Sequence, residues 1–157
     1  MTTSAPNGAV TLRFFGRDRR IAGGPFDSYA PPAIGVCLEA GSAKAPLADL
    51  RIDIPDFQPP TEAQLRLGLA RLLVLMRQRP DDPVYVGCRA GFGRTGTIIA
   101  ALAKLAGMPD PVAWTRAQYH PHAVETAAQE QAVRQSDTDA VWRMYDALRT
   151  NNEERDA

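Results

Sequence analysis

Apolar residues along this chain follow two rhythms. Short apolar or alternating runs bounded by glycine and proline occupy residues 10–15 and 34–38 and predict strands. From Asp49 to Ile54, the residues Leu50, Ile52 and Ile54 alternate with Asp49, Arg51 and Asp53, which is the period of a half-buried strand. Residues 55–60 hold three prolines and stiffen a loop. Thr61 with Gln64 then forms a capping box for a helix whose apolar positions Leu65, Leu69, Leu72, Leu73 and Met76 keep helical spacing to Arg79. After residues 80–83 a short strand, 84–86, runs into the glycine-rich segment 87–96. A helix follows through Ile98, Ile99, Leu102 and Leu105, ended by Gly107, and residues 109–119 and 126–148 predict two more. The order of elements predicts an α/β fold, with a central, mostly parallel sheet flanked by helices.

Composition narrows the function classes. The chain has 157 residues, 45% hydrophobic and 23% charged, the balance of a globular protein with its own core. Eighteen basic residues match eighteen acidic ones, so no global field favours nucleic acid or an anionic membrane, and anion selectivity must be local. No apolar run approaches the roughly 20 residues of a membrane span. The first residues lack the basic and apolar regions of a signal peptide, so a cytoplasmic location is the expectation. Two cysteines make no disulfide framework, and no ligand spacing points to a metal or other cofactor.

The chemistry concentrates in Cys88-Arg89-Ala90-Gly91-Phe92-Gly93-Arg94-Thr95. A cysteine at a strand end, with an arginine six positions on at the start of a helix, brings together a thiolate, a cradle of backbone N–H groups and a fixed positive charge. Gly91 and Gly93 allow the backbone conformations such a nest needs. The planar fork of Arg94 can grip two equatorial phosphate oxygens, more tightly in a trigonal-bipyramidal transition state than in the ground state. The Thr95 hydroxyl can stabilise the sulfur as it departs from phosphorus. Asp56, on the proline-stiffened loop at the exit of another strand, is the candidate acid for the leaving group, with Asp53 as the fallback.

Cys-x5-Arg-Thr with an upstream Pro-Asp loop resembles the protein-tyrosine phosphatase superfamily. Within it, the stretches IPDFQPP, GCRAGFGRTGT and AVETAAQEQAV are similar to the small atypical dual-specificity phosphatases. The resemblance implies Cys88 as nucleophile, Arg94 as phosphate binder, Asp56 as general acid and Thr95 as thiolate stabiliser. Arg89, Ala90, Gly91, Phe92 and Gly93 would form the phosphate-binding loop, and Gln129 would position water or brace that loop. A single, monomeric phosphatase domain is expected over residues 10–150, while the small polar start at 1–9 and the charged tail at 151–157 read as flexible. Its substrates would be phosphotyrosine, with or without phosphoserine and phosphothreonine, on a phosphorylated protein. A phosphoinositide or small phosphomonoester is the second reading, and a binding module that only captures phosphorylated partners the third. One departure stands out: the family usually carries histidine before the cysteine, where this chain has Gly87, and slower turnover is the expected consequence.

Other features read more simply. The literal G-x-G-x-x-G at residues 91–96 lacks the second strand and acidic residue of a dinucleotide site, and Thr97 replaces the lysine of a nucleotide-triphosphate loop. Cys37 reads as a core residue, with a redox bridge to Cys88 as the alternative. His120 and His122, around Pro121, read as surface residues rather than ligands. Trp114, Trp142 and Tyr145 read as core or rim, and Arg116, Arg134 and Arg143 as solvated faces.

Overall fold

The computed structural model describes residues 6–156. Five strands, β1 (Gly8–Phe14), β2 (Arg17–Pro25), β3 (Ile34–Cys37), β4 (Leu50–Arg51) and β5 (Val84–Cys88), form one sheet in the order β1-β2-β5-β3-β4. Only β1 is antiparallel to its neighbour; β2, β5, β3 and β4 run parallel. The middle strand β5 is buried along its whole length, as its run of Val84, Tyr85 and Val86 requires.

Five α-helices follow: α1 (Glu62–Gln78), α2 (Gly93–Leu105), α3 (Pro111–Gln118), α4 (Ala127–Gln135) and α5 (Thr138–Asp156). Their buried apolar residues join one core with Ile21, Ile34, Val36, Val84 and Val86. The opposite face carries a smaller cluster in which Phe26, Tyr29 and Ala45, from two one-turn 3-10 segments and the chain beside them, cover Ala22, Cys37 and Tyr85. Helices thus flank a mostly parallel sheet. The capping box at Thr61 forms in both directions, and Gly107 takes a positive φ of 93° at the end of α2.

The structure departs from the sequence reading in four places. Strand β2 has no apolar run to announce it: its buried stretch is Ile21-Ala22-Gly23-Gly24, and its buried Arg19 is there to bond the carbonyls of Met76, Arg79 and Asp82 at the end of α1. The strand expected over 49–54 pairs formally only at Leu50–Arg51, although Leu50, Ile52 and Ile54 all turn inward as the alternation demands. The helix expected over 126–148 breaks at Ser136, which is extended, and Lys104 bonds the carbonyls of Val133, Arg134 and Ser136 there. Residues 151–156, assigned above to a flexible tail, continue α5. At the other end, residues 1–5 lie outside the described residues, but Asn7 and Gly8 are held to β2.

Candidate active site

Parallel pairing of β2, β5, β3 and β4 places all their carboxyl ends on one edge, the edge where open α/β sheets build their sites. Cys88 ends β5, Glu39 follows β3, and Asp56 follows the residues that leave β4. Residues as far as 55 positions apart in the sequence are therefore neighbours.

Past Cys88 the chain turns sharply. Gly91 has a φ of 87°, a region L side chains rarely adopt, and its N–H donates to Cys88 Sγ at 3.2 Å. Helix α2 begins at Gly93, so its unpaired N–H groups and the positive end of its dipole face the sulfur's end of the loop. Arg94, in the first turn, is only 2% exposed. Its Nη1 donates to the Ile54 carbonyl at 2.6 Å, and its Nη2 lies 2.8 Å from Glu39 Oε2 and 3.5 Å from Asp56 Oδ1. That guanidinium holds the Glu39 carboxyl below the usual carboxylate range.

Two buried polar groups on consecutive residues remain without partners among the described residues: Arg94 Nε and Thr95 Oγ1. Burying such groups unpaired costs about 1–3 kcal/mol each unless a ligand meets them. Thr95 makes no hydrogen bond to Cys88.

Asp56, Phe57, Cys88, Arg89, Ala90, Phe92, Gly93 and Arg94 line one cavity of about 590 Å³, completed by the loop after α3. Asp56 Oδ1 accepts from the Phe57 N–H at 3.0 Å, and Phe57 has a φ of 63° and an exposed ring. Asp53 is not part of the wall; its carbonyl accepts from Gln64. Gln129, expected above to position water or brace the phosphate-binding loop, stands apart from the cavity: it is 0% exposed. Its Oε1 accepts from the Glu125 and Thr126 N–H groups, capping α4, and its Nε2 donates to Gln58 O at 3.3 Å. The geometry fits a brace on the Asp56 loop rather than contact with substrate or water.

Several residues join the site that sequence reasoning passed over. Glu39 has a retrospective signal, an acidic residue just after a buried strand at the active edge. Arg116 is no solvated face: it donates to the carbonyls of Ala123 and Val124 and lines the cavity, as does Glu125. His122, exposed as expected, also lines it, and the half-buried His120 ring lies 4.5 Å from Phe92, so both histidines sit at the rim of the cavity. Among the described residues no group of side chains could hold a metal ion. Cys37 and Cys88 belong to the two different faces of the sheet, since Cys37 pairs with Gly87 and successive strand residues alternate. The redox bridge left open by the sequence is therefore not formed, and both thiols are free.

Comparison with known proteins bears on the fold and the family. Residues 37–107 match the family model described as Tc-R-P: Polymorphic toxin system, DSP-PTPase phosphatase. The solved Tk-PTP in its active form is 25% identical, with 78% of this chain and 93% of that chain covered at a TM-score of 0.57. The matched segment and the fold are those of the protein-tyrosine phosphatase superfamily. The family model that matches is of the dual-specificity type within it. DUSP15 shares the superfamily fold at 18% identity, with 95% of this chain and 97% of that chain covered and a TM-score of 0.59. Two curated relatives come from Methanocaldococcus jannaschii. Uncharacterized protein MJ0215 is 34% identical over 84 residues, 54% of this chain and 52% of that protein. Uncharacterized protein MJECL20 is 46% identical over 50 residues, 32% of this chain and 34% of that protein. The matches thus span about half the length of these relatives, or less.

Gly87, the departure from the superfamily pattern, has a packing cause. A Cβ there would lie 2.6 Å from Phe26 Cα and 2.8 Å from Phe26 N. The backbone leaving β2 runs over Gly87, and Phe26 occupies the space a larger residue would fill.

Proposed function

We propose that this protein is a cysteine-dependent phosphatase that hydrolyses phosphomonoesters, phosphotyrosine foremost, through a phosphocysteine at Cys88. The observation that carries the reading is the pair of unpartnered buried groups, Arg94 Nε and Thr95 Oγ1, on the loop that begins at a thiol. Unpaired donors beside a nucleophile are what a tetrahedral oxyanion would satisfy.

In this mechanism Cys88 Sγ attacks phosphorus, and the bond to the leaving oxygen breaks as Asp56 gives that oxygen its proton. The amide N–H groups of the loop, the α2 terminus and Arg94 stabilise the equatorial oxygens. Water, activated by the same Asp56 carboxylate, then attacks phosphorus and expels the sulfur, to which Thr95 donates. Glu39 and the Ile54 carbonyl fix the guanidinium so that its Nε faces the developing charge. The loop from Arg89 to Gly93 holds the phosphate, and the rings of Phe57 and Phe92 supply apolar wall above it.

A second reading, a phosphoinositide substrate, draws on the neighbour PTPMT1, solved in complex with PI(5)P, 20% identical with a TM-score of 0.51. Arg89 and Arg116 at the cavity would meet additional phosphates, but Asp56 and Glu125 share the same wall. The mixed charge favours the singly phosphorylated ring. Incubation with para-nitrophenyl phosphate under reducing conditions, beside Cys88→Ser, tests the proposal. Hydrolysis lost in the variant supports it; wild-type inertness with intact phosphopeptide binding would leave a capture module instead. Comparing phosphotyrosyl peptide with phosphoinositide at equal concentration ranks the two substrates.

A further inference from the structure

The phosphate-binding loop is gripped from outside by two side chains to which the mechanism above gives no part. Asn7 Nδ2 donates to the Ala90 carbonyl at 2.7 Å, and the Tyr119 hydroxyl donates to the Gly91 carbonyl at 2.6 Å. In a trans peptide the carbonyl oxygen and the next N–H point to opposite sides. Drawing the Ala90 oxygen outward therefore turns the Gly91 N–H inward, where it meets Cys88 Sγ at 3.2 Å. By the same rule, holding the Gly91 oxygen turns the Phe92 N–H away from Tyr119.

Something outside the loop has to make this choice. Glycine accepts both signs of φ at little cost, so the peptide between Ala90 and Gly91 is free to rotate unless its oxygen is held. The grip is also closely fitted. A Cβ on Gly91 would fall 2.5 Å from Asn7 Nδ2 and from Gly24 Cα, and a Cβ on Gly23 would fall 2.5 Å from the Tyr119 hydroxyl. Asn7 is itself anchored, its N–H donating to the Gly23 carbonyl at 2.8 Å. Tyr119 is buried, and burial together with Cys88 pushes its phenol far up, which keeps it a protonated donor.

We propose that Asn7 and Tyr119 are positioning residues that set the peptide planes of the phosphate-binding loop, so that its N–H groups face the oxyanion. The inference rests on the phosphatase reading for its catalytic consequence, but the orientation itself bears on anion binding with or without turnover.

The test uses the full chain with Asn7→Asp, which keeps the shape and removes the donor, and Tyr119→Phe, which removes one hydroxyl. Turnover of para-nitrophenyl phosphate, inhibition by orthovanadate and thermal midpoints are measured together. Misdirecting one oxyanion donor should lower kcat by about tenfold or more. The vanadate inhibition constant should rise in step, while KM changes less than kcat does. A purely structural role would lower the thermal midpoint and leave vanadate affinity of the folded protein unchanged. Asn7 sits near the chain start on partly exposed surface, so Asn7→Asp provides a folded variant should Tyr119→Phe lose stability. Wild-type kcat and vanadate affinity in both variants, or a fall in kcat with vanadate affinity unchanged, would overturn the proposal. If the wild type shows no turnover that depends on Cys88, the phosphatase reading fails instead. Titration of inorganic phosphate into Cys88→Ser, with and without Asn7→Asp, then still decides the positioning: weaker binding in the double variant supports it, and equal binding refutes it.

Discussion

Nη2 of Arg94 lies 2.8 Å from Oε2 of Glu39, a carboxylate from the end of a neighbouring strand. The pair orients the guanidinium while leaving Nε without a partner. Because Arg94 depresses the folded-state value of the Glu39 carboxyl, the pair adds stability above the unfolded carboxyl value of about 4.3 and loses it as pH falls through the folded value. Glu39→Gln should therefore be less stable than wild type near neutral pH, with the difference in urea midpoint shrinking below about pH 4. Its kcat should fall as well, since a misplacement of about 1 Å in a reacting group can cost up to about 10²-fold.

Asp56→Asn should lower kcat by about 10²- to 10⁴-fold with a poor leaving group and by less with para-nitrophenolate, which needs little protonation. The loss should grow with the basicity of the leaving group, because the step removed is protonation of that oxygen. Asp53→Asn, outside the cavity wall, should keep the wild-type dependence; transfer of these effects to Asp53 would reverse the assignment.

Gln129→Glu keeps the acceptor for the Glu125 and Thr126 N–H groups but loses the donor to Gln58 O. If the brace acts through the Asp56 loop, the variant should mimic Asp56→Asn in kind, with a rate loss that grows as the leaving group worsens. A loss independent of the leaving group would place Gln129 in the later, hydrolytic step.

Gly87→Ala should destabilise the protein by about 1–3 kcal/mol in chemical denaturation, since the added carbon meets Phe26 backbone rather than a mobile side chain. Gly87→His should fare worse and should not raise turnover. The histidine of the superfamily is excluded here by packing, so a simple restoration is not a clean probe of its effect.

How far the sequence reveals this site depends on how local the signal is. Cys88, Arg94 and Thr95 share one turn, and their spacing alone encodes a cradle. Asp56 announces itself through the prolines around it. Glu39, Asn7 and Tyr119 reach the loop only through the sheet order and the packing of α3, and Asn7 meets Ala90 across 83 positions of sequence. The strand that makes this possible, β2, hides for a physical reason: small residues at 22–24 let Tyr119 and the loop approach, and small residues give no hydrophobic pattern. The break at Ser136 carries only a short local signal, the polar run 134–139 with Asp137 Oδ1 accepting from the Ala140 N–H, while Lys104, distant in sequence, bonds the freed carbonyls.

Oxidation offers a simple check on topology. Mild peroxide treatment followed by non-reducing peptide mapping should show no bridge between Cys37 and Cys88, because the two side chains lie on opposite faces of the sheet. Burial also pushes the Cys37 thiol up, so alkylation near neutral pH should mark Cys88 first.

The most direct measurement is to quench the protein in acid during turnover of a labelled phosphotyrosyl peptide and locate the label. The account places one phosphoryl group on the peptide containing Cys88, absent in Cys88→Ser and accumulating when the hydrolytic step is slowed. Turnover at the wild-type rate with no covalent label, or with the label on another residue, would contradict it.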